Sequence, residues 1–244
     1  MDYAKAITFV FQDKNWAATI LIGGGVTLIG FFFFWTIIGP FLAYALVLGY
    51  MMKLIRDVHQ DPDAGLPAWD DWGKKMADGL KLMVAYVIWQ LPLFLLATPL
   101  LLGFFLPMFI SDSDAMVVVS MVSYFALLCV GFLYSIFFLI VQPAITVNLT
   151  IHDDFVKAFD FSSIFGMIRD HLAEVLIIAL LIYGIGYFAS MVGILLFLIG
   201  VVFTSFWVTL VRGHLYGQLA RLAFPTQNQE STSLTPAQST TTAS

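Results

Sequence analysis

AMVVVSMVSYFALLCVGFLYSIFFLIVQPAITVNLTI, residues 115–151, contains no Asp, Glu, Lys or Arg. The same holds from Asn15 to Met52, from Leu82 to Ser111 and from Val175 to Val211. About 20 apolar residues already span the hydrocarbon of a bilayer, and a water-soluble core does not sustain such runs. In lipid a helix satisfies its own backbone groups. The blocks therefore predict an all-α, polytopic integral membrane bundle. Composition agrees: 60% of the 244 residues are hydrophobic and 11% are charged, against about 25% charged in soluble domains. One bundle and a tail fill this length, with no room for a separate soluble catalytic domain.

A single crossing takes about 17–25 residues, so the longer blocks need not be one helix each. The basic residues arbitrate. If the first and last blocks are hairpins, turning near Gly39-Pro40 and near Ser190 to Gly193, all eleven Lys and Arg residues fall on one side. Asp112 and Asp114 then fall on the other, as the positive-inside rule requires. One span per block would instead leave Lys53 to Lys81 outside. The reading gives six spans, at about 17–36, 40–56, 82–106, 116–140, 173–190 and 194–212, with both termini cytoplasmic in the cell membrane. The start, Met1-Asp2-Tyr3-Ala4-Lys5, lacks the basic region of a cleaved leader, so the amino terminus is expected to be retained. Pro92 and Pro99 predict a kinked or broken third span. Gln142-Pro143 is expected to end the straight part of the fourth.

Amphipathic segments gather on the basic side. Asp70 and Asp71 are placed to cap a helix over 70–81 whose stripe reads Trp72, Met76, Leu80 and Met83. Lys74, Lys75, Asp78 and Lys81 lie off that stripe, and Trp69 and Trp72 suit the headgroup depth. A second segment, 160–171, puts Phe161, Ile164, Phe165 and Ile168 on one side. A third, 3–12, does so with Tyr3, Ile7 and Val10. All three are expected to lie at the cytoplasmic interface. Trp69, Trp72, Met76, Leu80, Phe161, Phe165 and Ile168 are the partner-facing candidates. Residues 225–244, rich in Thr, Ser and Gln with Glu230 as the sole charge, read as a disordered cytoplasmic tail.

Intramembrane enzymes and pumps use ionisable groups at depth, and the four blocks supply none. The chain is therefore expected not to be an enzyme and to need no cofactor. His59, His152, His171 and His214 fit no metal-ligand spacing, and Asp61-Pro62-Asp63-Ala64-Gly65 reads as a turn. Cys129, the lone cysteine, allows no disulfide within the chain and reads as a small buried hydrophobe. Gln90, Gln142 and Asn148 are the polar residues at depth. They line a cavity on one reading and hydrogen-bond neighbouring helices on the other. Gly23-Gly24-Gly25, Gly184, Gly186, Ser190 and Gly193 are expected to let helices approach closely.

Phe11-Gln12-Asp13-Lys14-Asn15-Trp16, Ile22-Gly23-Gly24, Gly49-Tyr50, Leu66-Pro67-Ala68-Trp69-Asp70-Asp71-Trp72 and Gly79-Leu80-Lys81 together resemble the prokaryotic family called domain of unknown function 4013. The likeness is clearest in the amino-terminal third, with Ala158-Phe159 and the Phe161–Ile168 stripe similar to that family's second interfacial segment. The resemblance implies a multi-pass membrane protein and brings no activity or ligand. From the residues themselves, a scaffold or accessory protein working through its cytoplasmic amphipathic face is expected. The alternative is a transporter or channel subunit with a cavity beside the third helix, and a membrane enzyme comes third. The expected partners are the lipid bilayer and membrane or cytoplasmic proteins, with no nucleic acid.

Overall fold

A computed structural model of the chain describes residues 1–110, 113–196 and 199–225. Nine α-helices are seen among the described residues: α1 (Tyr3–Gln12), α2 (Trp16–Phe32), α3 (Ile38–Gln60), α4 (Trp72–Phe105), the short α5 (Pro107–Ile110), α6 (Asp114–His152), α7 (Phe161–Asp170), α8 (Leu172–Leu195) and α9 (Ile199–Ala223). Two 3-10 turns, Phe34–Thr36 and Phe155–Phe159, join them, and the described residues form no strand. The chain is an all-α membrane bundle. α3, α4, α6, α8 and α9 are each long and apolar enough to cross a bilayer, and α1 with α2 adds a sixth only as a pair bent by 96°.

Close contacts fix the helix directions. Gly49 of α3 meets Lys75 of α4 while Ala45 meets Gly79, so these two helices run antiparallel. Gly23 and Gly24 of α2 lie under the rings of Phe206 and Phe203, which makes α2 antiparallel to α9. Gly213 packs on Met51 and Leu54, and Gly217 on Val58, so α3 and α9 are parallel. Up-and-down alternation thus brings the end of α3, the start of α4 and the ends of α6 and α9 together. That charged end also holds the core. Met51, Met52, Ile55, Leu82, Ile145, Leu149, Leu215 and Leu219 are buried there. At the opposite end α4 and α6 expose Phe94, Leu95, Val118, Val122 and Phe132, as helices surrounded by lipid do.

Several expected boundaries move. Segments 70–81 and 82–106 are one continuous helix, α4. Its first turns bury Lys75, Asp78 and Gly79, the first two expected on the polar side, and leave Trp72 and Leu80 of the expected stripe exposed. The reason is local: Gly79 has no side chain and takes the α3 backbone against itself, while Asp78 finds a cationic partner on α3. The helix also continues through Pro92 and Pro99. There the Thr98 hydroxyl donates to the Phe94 carbonyl (2.6 Å) and the Tyr134 hydroxyl to that of Trp89, supporting the disturbed turns.

The first hairpin bends at Phe33–Ile37, not at Gly39-Pro40. Pro40 lies in the first turn of α3, where its missing N–H costs nothing. Ile37 carries the strain of the bend, with φ 61°. The second hairpin turns after Leu195, and Gly193 instead presses on the Val201 backbone of α9. Gly25, Gly184 and Gly186 touch nothing beyond their own helices. α6 passes through Pro143 to His152, because residues 143–150 are buried on all sides by the core. α9 continues to Ala223, about three turns past the expected boundary at Arg212. Cys129 is exposed, on the part of α6 that nothing in the chain covers. The expected tail after Pro225 and the Asp112 turn lie outside the described residues.

Candidate functional site

Arg56, near the end of α3, organises the charged end. Its Nη1 meets the Asp78 carboxylate of α4 at 2.6 Å, its Nη2 meets Asp153 beyond α6 at 3.3 Å, and its Nε donates to the Thr150 carbonyl at 3.1 Å. Lys81 completes the cluster, 3.3 Å from Asp153 and 3.7 Å from Asp78. The Asp78 side chain is only 5% exposed, so its charge relies on these two cations. Three helices are pinned at one point by a planar guanidinium whose fork suits several acceptors at once.

A second set of bonds closes the ring. Arg221 donates to the carbonyls of His59 (3.1 Å) and Gln60 (3.3 Å), a cation at the carboxy-terminal end of α3. His59 Nε2 lies 2.7 Å from the Phe224 carbonyl. At the amino terminus, the Asp2 N–H donates to Gln218 Oε1 (2.7 Å) while Gln218 Nε2 donates to the Asp2 carbonyl (2.9 Å). Lys5 pairs with Asp63, and Asp13 accepts from the Leu66 N–H at 2.9 Å. These contacts bind α1 and the 61–71 loop to the bundle.

Outside the spans, three carboxyls are held below the usual carboxylate range by lysines: Asp63 by Lys5, Asp70 by Lys75 and Asp160 by Lys157. Asp160 is also the N-cap of α7, accepting from the Ser163 N–H at 3.2 Å. The histidines stay apart, His152 on the Asn148 carbonyl, His214 on Gln218 and His59 on Phe224. Among the described residues no group of three or more His, Cys, Asp or Glu is arranged to hold a metal ion.

The partner-facing candidates divide. Trp72, Leu80, Phe161 and Phe165 are exposed. Trp69 is stacked on Tyr50 at 4.4 Å and flanked by Trp72 and Phe206, while the Tyr50 hydroxyl donates to the Pro67 carbonyl at 2.6 Å. Met76 packs partly against the core and Ile168 is buried. All three therefore help hold the fold.

The polar residues at depth divide as well. Asn148 is fully buried, with Nδ2 donating to the Lys157 carbonyl (3.0 Å) and Oδ1 accepting from the Ser163 hydroxyl (3.2 Å). These bonds clamp α6 to α7. Tyr86 and Thr146 are bonded at 2.6 Å across α4 and α6. Gln90 and Gln142 stand one turn outward from them, at a common level. Gln90 Oε1 is buried without a hydrogen-bond partner.

Arg212 belongs with this layer, which was not visible from the sequence. Its Nε is buried and unpartnered among the described residues, and Tyr216 follows one turn further along α9. The sequence contained one signal for it: the apolar character of the chain resumes directly after Arg212-Gly213-His214 with Leu215 and Tyr216. Arg56 and Asp78 were equally hidden, because their spacing says nothing about which helices meet.

A family model described as a protein of unknown function (DUF4013) matches residues 31–198. No curated protein and no solved structure matches the chain. The matched region begins at Phe31, leaving α1 and nearly all of α2 outside it, and runs through the second hairpin. It contains the α3–α4 crossing, the Arg56 cluster and α7. With well over half of its length inside that match, the chain belongs to the DUF4013 family.

Proposed function

We propose that this is a non-enzymatic accessory or scaffold protein of the cell membrane that receives a protein partner on its charged end. One observation carries the reading. In the first turns of α4 the polar and small residues Lys75, Asp78 and Gly79 fill the interior, and Trp72 and Leu80 are left outside. A fold normally uses such apolar side chains for its own core. Phe161 and Phe165, stacked at 6.4 Å, add to the exposed apolar rim, on a base stiffened by the Arg56 cluster. The distribution of Lys and Arg supports a cytoplasmic position for this end and for both termini.

Brominated lipids test the idea, because they quench a tryptophan that lies in hydrocarbon. With Trp16, Trp35, Trp69, Trp89 and Trp207 replaced by Phe, the remaining Trp72 is expected to stay largely unquenched in vesicles. Site-specific photocrosslinking from position 72 in native membranes is then expected to give one discrete adduct. Strong quenching of Trp72 with no protein adduct would leave the rim as a lipid anchor and defeat the reading.

A second reading, a transporter or channel subunit, is supported by the polar layer, where Gln90 Oε1 and Arg212 Nε have no partner among the described residues. Solute-dependent uptake into proteoliposomes, lost on Gln90→Leu, would favour it.

A further inference from the structure

We infer that Arg212 anchors a binding site for a phosphate group, open toward lipid between α3 and α9. Arg212 takes part in none of the ion pairs among the described residues. Its Nε is buried and makes no hydrogen bond. Asp78, a buried carboxylate, is already shared by Arg56 and Lys81. Arg212 is half-buried, and with no partner among the described residues its fork is free to receive an anion from outside.

What surrounds Arg212 is rich in donors. Tyr216 follows one turn further along the same face of α9, and Tyr44 shares a cleft with Thr209, one turn before Arg212. The Tyr86 hydroxyl is engaged by Thr146, whose own proton goes to the Gln142 carbonyl (2.7 Å). Tyr44 and Tyr216 make no hydrogen bond among the described residues, so two O–H donors and a guanidinium fork address the same space. That set suits an oxyanion with several acceptor oxygens, and a phosphate satisfies the fork bidentately.

The approach to the site is apolar. Tyr44, 47% exposed, also lines a cleft of about 320 Å³ between α2, α3 and α9, walled by Phe31, Phe34, Val47 and Phe206. Ser205 and Thr209 line it too, on the α9 face that continues at Arg212 one turn further on. Arg212 lies about 20 Å along α9 from Ile199, two thirds of the way across a hydrocarbon layer of about 30 Å. A chain of a neighbouring phospholipid in the cleft, with its phosphate drawn to Arg212, fills both parts. Free phosphate offers the same oxygens without the chain. The inference rests on Arg212 and its phenols, not on the apolar rim, and stands whether or not a protein docks there.

The test uses the full chain in a neutral detergent, with dioleoylphosphatidylglycerol or inorganic phosphate as probe, read by native mass spectrometry and thermal melting. Phosphatidylglycerol is expected to be retained as a one-to-one adduct. Arg212→Gln should weaken it about tenfold or more, and Tyr44→Phe with Tyr216→Phe several-fold. Lys14→Gln, an exposed lysine on the α1–α2 connection, should leave it unchanged. If inorganic phosphate alone raises the melting temperature in an Arg212-dependent way and displaces the lipid, the ligand is the free ion and the site stands. Failure of both probes to bind overturns the inference, as does equal loss in Lys14→Gln and Arg212→Gln. Should Arg212→Gln not fold, unchanged lipid retention in the double tyrosine variant overturns it equally.

Discussion

Gly49 of α3 lies so close to the carbonyl of Lys75 on α4 that no Cβ fits between them, and Gly79 stands in the same relation to the carbonyl of Ala45. Two helices therefore touch backbone to backbone, through Ala45 and Gly49 on α3 and Gly79 with the Lys75 main chain on α4. The obstructing atoms are main chain, which cannot rotate away. Gly49→Ala and Gly79→Ala are each expected to lower stability by about 2–3 kcal/mol. Gly25→Ala and Gly184→Ala, where an added methyl meets nothing, should be neutral or slightly stabilising. Thermal melts in detergent separate the two groups.

Breaking the Arg56–Asp78 pair leaves a buried charge alone. Arg56→Met or Asp78→Leu singly should cost about 3–5 kcal/mol. The double substitution should recover much of the loss, since neither charge is then stranded, and a double-mutant cycle measures the coupling. Arg56→Lys is expected to fall well short of wild type, because one ammonium cannot span Asp78, Asp153 and the Thr150 carbonyl together.

Tyr50→Phe removes the bond to the Pro67 carbonyl and keeps the stack on Trp69. A loss of about 1 kcal/mol follows, with the 61–71 loop loosened. Faster amide exchange at Ala68 and Trp69, with α3 itself unaffected, is the expected signature.

Acid should act at the starts of α4 and α7. The carboxyls of Asp70 and Asp160 lie below their ordinary value of 3.8 because Lys75 and Lys157 favour the ionised form. A depressed folded-state value means that the stabilisation is complete above the unfolded value and is lost as pH falls through the folded one. Stability should be insensitive to these pairs from pH 7 to about 5 and decline below about 4. Asp70→Asn should flatten that decline when Trp72 fluorescence is followed against pH.

Hydrophobic patterning revealed the membrane class, because lipid removes charge from whole helices and leaves long, unmistakable blocks. It also placed α1 and α7 where helices are found. It left Lys75 and Asp78 on the polar side of 72–81, since periodicity scores apolar side chains, whereas the face buried there is built from a glycine contact and an ion pair. Taking Arg212 as a boundary had the same origin: a charge was equated with the membrane surface, whereas α9 carries this one into the bundle. Two readings of Asn148 stayed open in the sequence, because it shows polarity at depth but not the Lys157 carbonyl and Ser163 hydroxyl to which this side chain bonds.

The hook between Asp2 and Gln218 has a consequence for biogenesis. Its partners are 216 positions apart, whereas the α3–α4 crossing closes over a short loop. A chain emerging from the ribosome can therefore assemble its central helix pair early. Its first helix can reach the 61–71 loop through Lys5 and Asp13 early, but gains its hold on Gln218 only when the last helix has been inserted. Arrested nascent chains ending before His214 should leave α1 open to protease, and release of α9 should close it. The final helix thus acts as the checkpoint that tells a complete molecule from an unfinished one.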